Sequence, residues 1–222
     1  NASKRQFFAT VSHELRTPLS TILLSTESLQ FNYDNLSEAQ KQTALRRIHT
    51  TAQHMGQHIT DLLTLARAEA GKPEFHPELI DASTYCQTLI DEIKTGIHQR
   101  IIFHHGGVIR AFWDKKLLRS LLSNLLSNAA KYSPTDSSIS VTLFADHNHA
   151  TLTVQDQGIG IPNTEHDQVT RAFQRGSNVG QITGTGLGLA IAKTSIDLHR
   201  GTLTIHSKKG QGTTVMVTLP LE

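Results

Sequence analysis

The 222-residue chain sets 21 Lys and Arg against 19 Asp and Glu, a net charge of +2 with neutral histidines. That mild balance, without a dense basic block, argues against nucleic acid as a partner. With 37% hydrophobic and 18% charged residues a packed core is affordable and wholesale disorder is excluded.

Two long helices open the chain. With Phe8 at position a of a heptad, Leu15, Ile22 and Leu29 also fall on a, while Val11 and Pro18 fall on d with Leu19 beside them. A break follows at Asn32-Tyr33-Asp34-Asn35, and Ser37-Glu38-Ala39-Gln40 has the form of a capping box that starts a second helix. Its seam is cleaner: Leu45, Ile48, Ala52, Met55, Ile59, Leu62 and Ala66. Gly71 and Pro73 end it. A helix of about thirty residues is ~45 Å long at ~1.5 Å per residue. One hairpin of that length cannot cover its own apolar stripe, whereas two can, as a four-helix bundle around a two-fold axis. The expectation is an all-α antiparallel helical hairpin over residues 1–71 that forms a homodimer.

From about residue 74 the pattern changes. Ile139-Val141-Leu143, Leu152-Val154, Leu203-Ile205 and Val215-Val217-Leu219 alternate as strands. Helical patterns cover roughly 83–95, 115–131 and 187–199, with Asp114 as N-cap of the second. Residues 72–222 thus read as an α/β sandwich whose mixed or antiparallel sheet is covered on one face. Cys86 is the single cysteine, so no disulfide closes within one chain. The chain starts at Asn1, and no uninterrupted apolar run approaches a membrane span. It reads as a cytoplasmic fragment, with an upstream sensor segment lying outside it.

His13 falls at heptad position f, away from the seam, with Glu14 beside it and Thr17 one turn on. A lone histidine among thirteen is most simply a surface residue. Pro18 changes that reading, because it offers no N–H to the Glu14 carbonyl and crowds it, at a cost of ~3 kcal/mol or more in an ordinary helix. Neutral imidazole holds a free lone pair near pH 7 and can attack phosphorus if a carboxylate orients its other nitrogen. Glu14 is the adjacent candidate.

Three further clusters follow. In Asn124-Leu-Leu-Ser-Asn128-Ala-Ala-Lys131-Tyr132-Ser133 the two asparagines and the lysine share one helix face. An amide oxygen suits Mg²⁺, and lysine suits phosphate; the plainer alternative is a solvated helix end. Asp156-Gln-Gly158-Ile-Gly160-Ile161-Pro162 follows a strand and offers an acceptor for an exocyclic amine, or forms only a turn. Gly184-Thr185-Gly186-Leu187-Gly188-Leu189 opens a helix and can bind phosphate through its N–H groups. A dinucleotide fold would need a strand directly before it, whereas Arg175–Thr183 is polar and loop-like.

In this order the clusters resemble the sensor histidine kinases of two-component systems over essentially the whole chain. The phosphoacceptor motif is Ser12-His13-Glu14-Leu15-Arg16-Thr17-Pro18-Leu19, the asparagine motif Asn124–Ser133, and the glycine motifs lie at Asp156–Pro162, Gly184–Leu189 and Gly210-Gln-Gly212-Thr213. Phe173-Gln-Arg175-Gly176 is similar to the start of the lid over ATP. The resemblance implies ATP and Mg²⁺ as cofactors, and a receiver domain of a response regulator as partner. It implies that His13 accepts the γ-phosphoryl group and that Glu14 orients it and acts as its base. Glu14 and Thr17 also match the pair that dephosphorylates the regulator, and Asn124 helps position the acceptor. Asn128 holds Mg²⁺, Lys131 and Arg175 contact phosphate, Tyr132 lies near adenine or ribose, and Asp156 reads the adenine amine. Gly158, Gly160, Gly184, Gly186 and Gly188 shape the pocket and hinge the lid. Ile161, Thr185, Leu187, Leu189 and Thr213 complete the ATP-binding set. A hinge is expected at Lys72-Pro73. Arg200 departs from the family, standing where a glycine is often seen. The rivals are another ATPase of the same nucleotide-binding superfamily, which has no need of the His13–Pro18 stretch, and a non-catalytic dimerisation and docking module. His104-His105 and His147-Asn148-His149 lack further ligands at metal spacing and read as loop or strand-end residues.

Overall fold

The computed structural model describes residues 2–70, 74–172, 174, 176–180, 182 and 186–222. For residues 2–11, 13, 14, 54, 57, 58, 61, 68 and 69 it describes the backbone alone. The expected hinge at Lys72-Pro73 lies outside these residues. The chain divides into two compact units, Asn1–Leu63 and Thr64–Glu222.

The first unit is a helical hairpin. Helix α1 (Ala2–Asn32) runs through Pro18, and a 3-10 turn at Tyr33–Asn35 joins it to α2 (Glu38–Glu69). Proline withholds the N–H that the Glu14 carbonyl would otherwise receive. One turn on, the Thr21 hydroxyl donates to the Thr17 carbonyl at 3.2 Å. The capping box forms reciprocally: Ser37 N–H donates to Gln40 Oε1 at 2.8 Å and Gln40 N–H to Ser37 Oγ at 3.3 Å. Lys41 stacks 3.9 Å from the Tyr33 ring centroid, securing the turn. Part of the seam stays open within the chain: Leu19, Leu45 and Ile59 are exposed, while Ile22, Leu29, Ile48 and Leu62 are half-buried; off the seam, Leu24 is 66% exposed. No helix among the described residues is long and apolar enough to cross a membrane.

The second unit begins within the last turns of α2, where Leu65 is buried and Arg67 pairs with Glu74. Strand β1 (Glu78–Asp81) leads into α3 (Ala82–Ile93), whose first amides are capped by Asp81. Strands β2 (Arg100–His105) and β3 (Arg110–Trp113) follow, then α4 (Lys115–Tyr132), β4 (Ser138–Ala145) and β5 (His149–Gln155). Helix α5 (Gly188–Leu198), β6 (Thr202–Ser207) and β7 (Thr213–Pro220) complete it. Five strands form one sheet in the order β2-β4-β5-β7-β6, with β2 parallel to β4 and the other pairs antiparallel. Strands β1 and β3 pair separately. The fold is therefore a helical hairpin followed by an α/β domain with a mixed sheet.

Alternation along β4, β5 and β7 turns Ile139, Val141, Leu143, Leu152, Val154, Val217 and Leu219 onto α4 and its neighbours. Thr142, Thr153, Thr204 and Thr218 occupy the opposite, wetter face. As expected, Asp114 caps α4 by accepting from Lys116 and Leu117 N–H. Its other oxygen accepts from His76 N–H at 2.8 Å, fixing the incoming chain. Asp114 N–H donates to His199 Nε2 at 3.0 Å, and His199 Nδ1 lies 2.8 Å from Ser195 O. His199 is therefore a neutral, Nδ1-protonated imidazole, buried between the ring edges of Phe75 and Trp113. Burial holds its pKa below the ordinary value.

Candidate functional site

A cleft of about 900 Å³, open mouth included, lies over the last turns of α4. Its apolar wall comes from Leu125, Ala129, Val154 and Val215. Helix α4 contributes Asn128, Lys131 and Tyr132 because steps of three and four residues bring them to one face. The loop after β5 contributes Asp156, Gly160 and Ile161; the start of α5 contributes Gly186, Gly188 and Leu189; β7 contributes Thr213.

Asp156 is the best-defined polar group. Its Oδ1 accepts from Gly158 N–H at 2.7 Å and from Thr213 N–H at 3.1 Å, while Oδ2 takes neither. Burial raises its pKa, and the two N–H donors, with a smaller contribution from the Ser133 hydroxyl, offset part of that rise. A carboxylate held this way by one oxygen offers the other to a ligand's N–H group. Gly160 turns the loop at φ 66°, and a Cβ there would meet Lys208 O at 2.1 Å. No other residue fits that position.

Gly188 sits where α5 begins, with a Cβ position only 3.0 Å from Asn128 Nδ2 and 3.1 Å from Asn124 Oδ1. Both expected asparagines therefore face the glycine-rich helix start. Asn128 reaches the cleft; Asn124 Nδ2 donates to Ser120 O at 2.9 Å, and Asn124 is not among the described lining residues. The same holds for Gly158, which serves through its N–H, and for Leu187, which is buried.

Arg175, Gly184 and Thr185 lie outside the described residues, as do the side chains of His13 and Glu14. The backbones of His13 and Glu14 are helical in α1, and Thr17 is exposed on the same helix. Among the described residues, no group of three His, Cys, Asp or Glu side chains could hold a metal ion.

Sequence reading missed several lining residues. Asn178 lies in the stretch read as a polar loop, and its Nδ2 donates to Gly160 O at 2.8 Å and to Ile159 O at 3.3 Å. Gln174, Val169 and Val179 also line the cleft. No periodicity marks them, since the described residues of this segment form neither a long helix nor a strand.

Residues 3–71 match the family described as His Kinase A (phospho-acceptor) domain. Residues 113–222 match the family described as Histidine kinase-, DNA gyrase B-, and HSP90-like ATPase. The circadian input-output histidine kinase CikA of Synechococcus elongatus is 36% identical over 99% of this chain and 30% of its own length. The phosphate regulon sensor protein PhoR of Pseudomonas aeruginosa is 35% identical over 95% of this chain and 48% of its own. The chain thus spans less than half the length of either relative. Among solved structures, the mycobacterial sensor histidine kinase MprB superposes with a TM-score of 0.60 at 29% identity, over 64% of this chain and 97% of that one. With a phosphoacceptor hairpin and an ATPase-type α/β unit in one polypeptide, the chain belongs to the sensor histidine kinase family.

Proposed function

We propose that this chain is an ATP-dependent protein histidine kinase that phosphorylates His13 and passes the phosphoryl group to an aspartate of a response regulator receiver domain. The reading rests above all on one observation: a single cleft gathers Asn128, Lys131, Asp156, Gly186, Gly188, Leu189 and Thr213 from four separate segments. Each suits a different part of ATP. Asp156 accepts from the adenine amine, Tyr132 lies against the base or ribose, and Lys131 neutralises phosphate. The Gly184–Leu189 run offers N–H groups to the phosphates at the start of α5. Arg175 contacts the γ-phosphate, and Gly158, Gly160 and Ile161 shape the floor.

The donor set fits magnesium. Asn128 provides one hard amide oxygen, and a cation that keeps its waters and takes phosphate oxygens needs few protein ligands. Once bound, the ion supplies positive charge against the phosphates. The chain's own residues do the rest by positioning, which dominates phosphoryl transfer. Glu14 holds the His13 ring and takes up its proton, so that a lone pair faces phosphorus. Asn124 helps align the acceptor. Glu14 and Thr17 serve the reverse task on the phosphorylated regulator, with Thr17 holding a water. The hairpin domain extends over residues 1–71 and the ATP-binding domain over 72–222. The uncovered seam residues Leu19, Leu45 and Ile59 support a homodimer through the hairpin. The active form works on the cytoplasmic side.

Labelled ATP tests the reading. Wild-type protein is expected to take up acid-labile, base-stable label that disappears in His13→Gln. Label on serine, or ATP turnover without label, would favour another ATPase of the superfamily. Intact dimers that take up no label would favour a docking module.

A further inference from the structure

Ser207, the last residue of β6, has no role in the chemistry above, yet its hydroxyl ties the loop after β5 to the β6–β7 turn. Ile161 N–H donates to Ser207 Oγ at 2.8 Å. Ser207 Oγ lies 2.8 Å from Gly212 O and 3.0 Å from Thr213 Oγ1. A hydroxyl owns one proton and two lone pairs. A carbonyl only accepts, so the Ser207 proton goes to Gly212 O. A backbone N–H only donates, so Ile161 takes up one lone pair. The remaining lone pair faces Thr213 Oγ1, and that contact is a hydrogen bond only if Thr213 donates. The single proton of Thr213 is thereby committed. Towards a ligand its hydroxyl can act only as an acceptor.

Thr213 lines the cleft, and its own N–H holds Asp156 Oδ1. Two neighbouring side chains thus present acceptors from one corner of the site. We infer that Ser207 is a positioning residue for base selection: by fixing the proton of Thr213 it makes the cleft favour a purine with a 6-amino donor over one with a 6-oxo acceptor. The inference rests on the reading of the cleft as an ATP site.

The experiment compares affinities of the full chain for ATP and for inosine triphosphate, which carries oxygen in place of the 6-amino group. In Ser207→Ala the Thr213 hydroxyl is free to turn and donate. The preference for ATP is then expected to narrow roughly 3–10-fold, the range one hydrogen bond commands. Ser207→Thr keeps the hydroxyl and the preference. A merely structural role would weaken both triphosphates alike and leave their ratio unchanged, and that result overturns the inference. If Ser207→Ala does not fold, Thr213→Val carries the test, since deleting the acceptor must narrow the ratio too; an unchanged ratio there is equally fatal. Wild-type protein that binds neither triphosphate defeats the ATP reading itself, a result distinct from a wild-type preference that survives in Ser207→Ala.

Discussion

The hairpin and the α/β unit use leucine in opposite ways. In the α/β unit Leu121, Leu122 and Leu126 lie at 0% exposure against Ile139, Val141 and Leu143 of β4. In the hairpin, Ser25 is the one buried residue among those described in the first unit, while Leu23 and Leu24 remain 52% and 66% exposed. Both helices were found by the same periodicity, yet periodicity shows only which face is apolar. The rest of the chain covers that face in one unit, and in the other it leaves Leu19, Leu45 and Ile59 exposed. The largest expected effect follows from this contrast. Leu121→Ala should destabilise the α/β unit by roughly 2–5 kcal/mol, through lost transfer energy and a residual cavity. Leu24→Ala should change an isolated hairpin by no more than about 0.5 kcal/mol. Urea melts at several protein concentrations check the pair. A large, concentration-dependent cost at Leu24 would show that a second chain covers it; equal, concentration-independent losses would break the contrast.

Legibility in the sequence divides along the same physical line. Helix α4 could be read because its cap, its apolar stripe and its last-turn lysine are all local in sequence. The capping box at Ser37–Gln40 was legible for the same reason. Strands β4 to β7 could be read because a single covered face imposes a strict period of two. Strands β1 to β3 could not. β1 is four residues long and buries Ile80 alone. In β2 the run Ile101-Ile102-Phe103 hides any alternation. In β3 the outward Phe112 is as apolar as the inward Trp113. The cleft shows the same split. Asn128 and Lys131 follow helical spacing, and Asp156 follows a strand. Asn178 and Ser207 grip the Gly158–Ile161 loop from 18 and 46 residues away, and no local pattern encodes such a contact. Arg200 is a further case: the sequence marks it as a departure, and the structure shows it at φ 56°, where glycine is favoured.

A second difference between the units concerns buried titratable groups. No titratable side chain among the described residues of the hairpin is buried, whereas the α/β unit encloses His199. Its folded pKa is depressed, so the unfolded chain binds the proton more readily. The stability it contributes is complete above the unfolded value of about 6.5 and is lost as pH falls from there through the folded value. Protonation also costs the Nε2 acceptor that holds Asp114 N–H, and with it the start of α4. Thermal melts of residues 1–222 from pH 7.5 to pH 5 should therefore show the α/β transition dropping while the hairpin transition moves less. His199→Gln should lower stability at pH 7.5 and flatten the dependence. If the wild-type slope persists in that variant, another group causes it.

The smallest effects come from two substitutions of opposite sense. Gly56 lies inside α2, where a Cβ would meet nothing within 4 Å. Gly56→Ala should therefore stabilise the isolated hairpin by about 0.8–1 kcal/mol, the intrinsic helix preference. In the α/β unit, α5 ends in a Schellman motif: Gly201 N–H donates to Ile196 O and Arg200 N–H to Asp197 O, both at 2.9 Å. That motif places Arg200 in the left-handed region, which costs an L-residue roughly 1–2 kcal/mol. Arg200→Gly removes the strain but adds freedom to the unfolded chain, so a net gain of about 0.5–1 kcal/mol is expected. Adding a side chain should help the helix, and removing one should help the turn. Denaturant midpoints of the two variants check both signs. A loss in Gly56→Ala would mean that another backbone lies against that face, since only a close neighbour can turn a favourable methyl group into a clash.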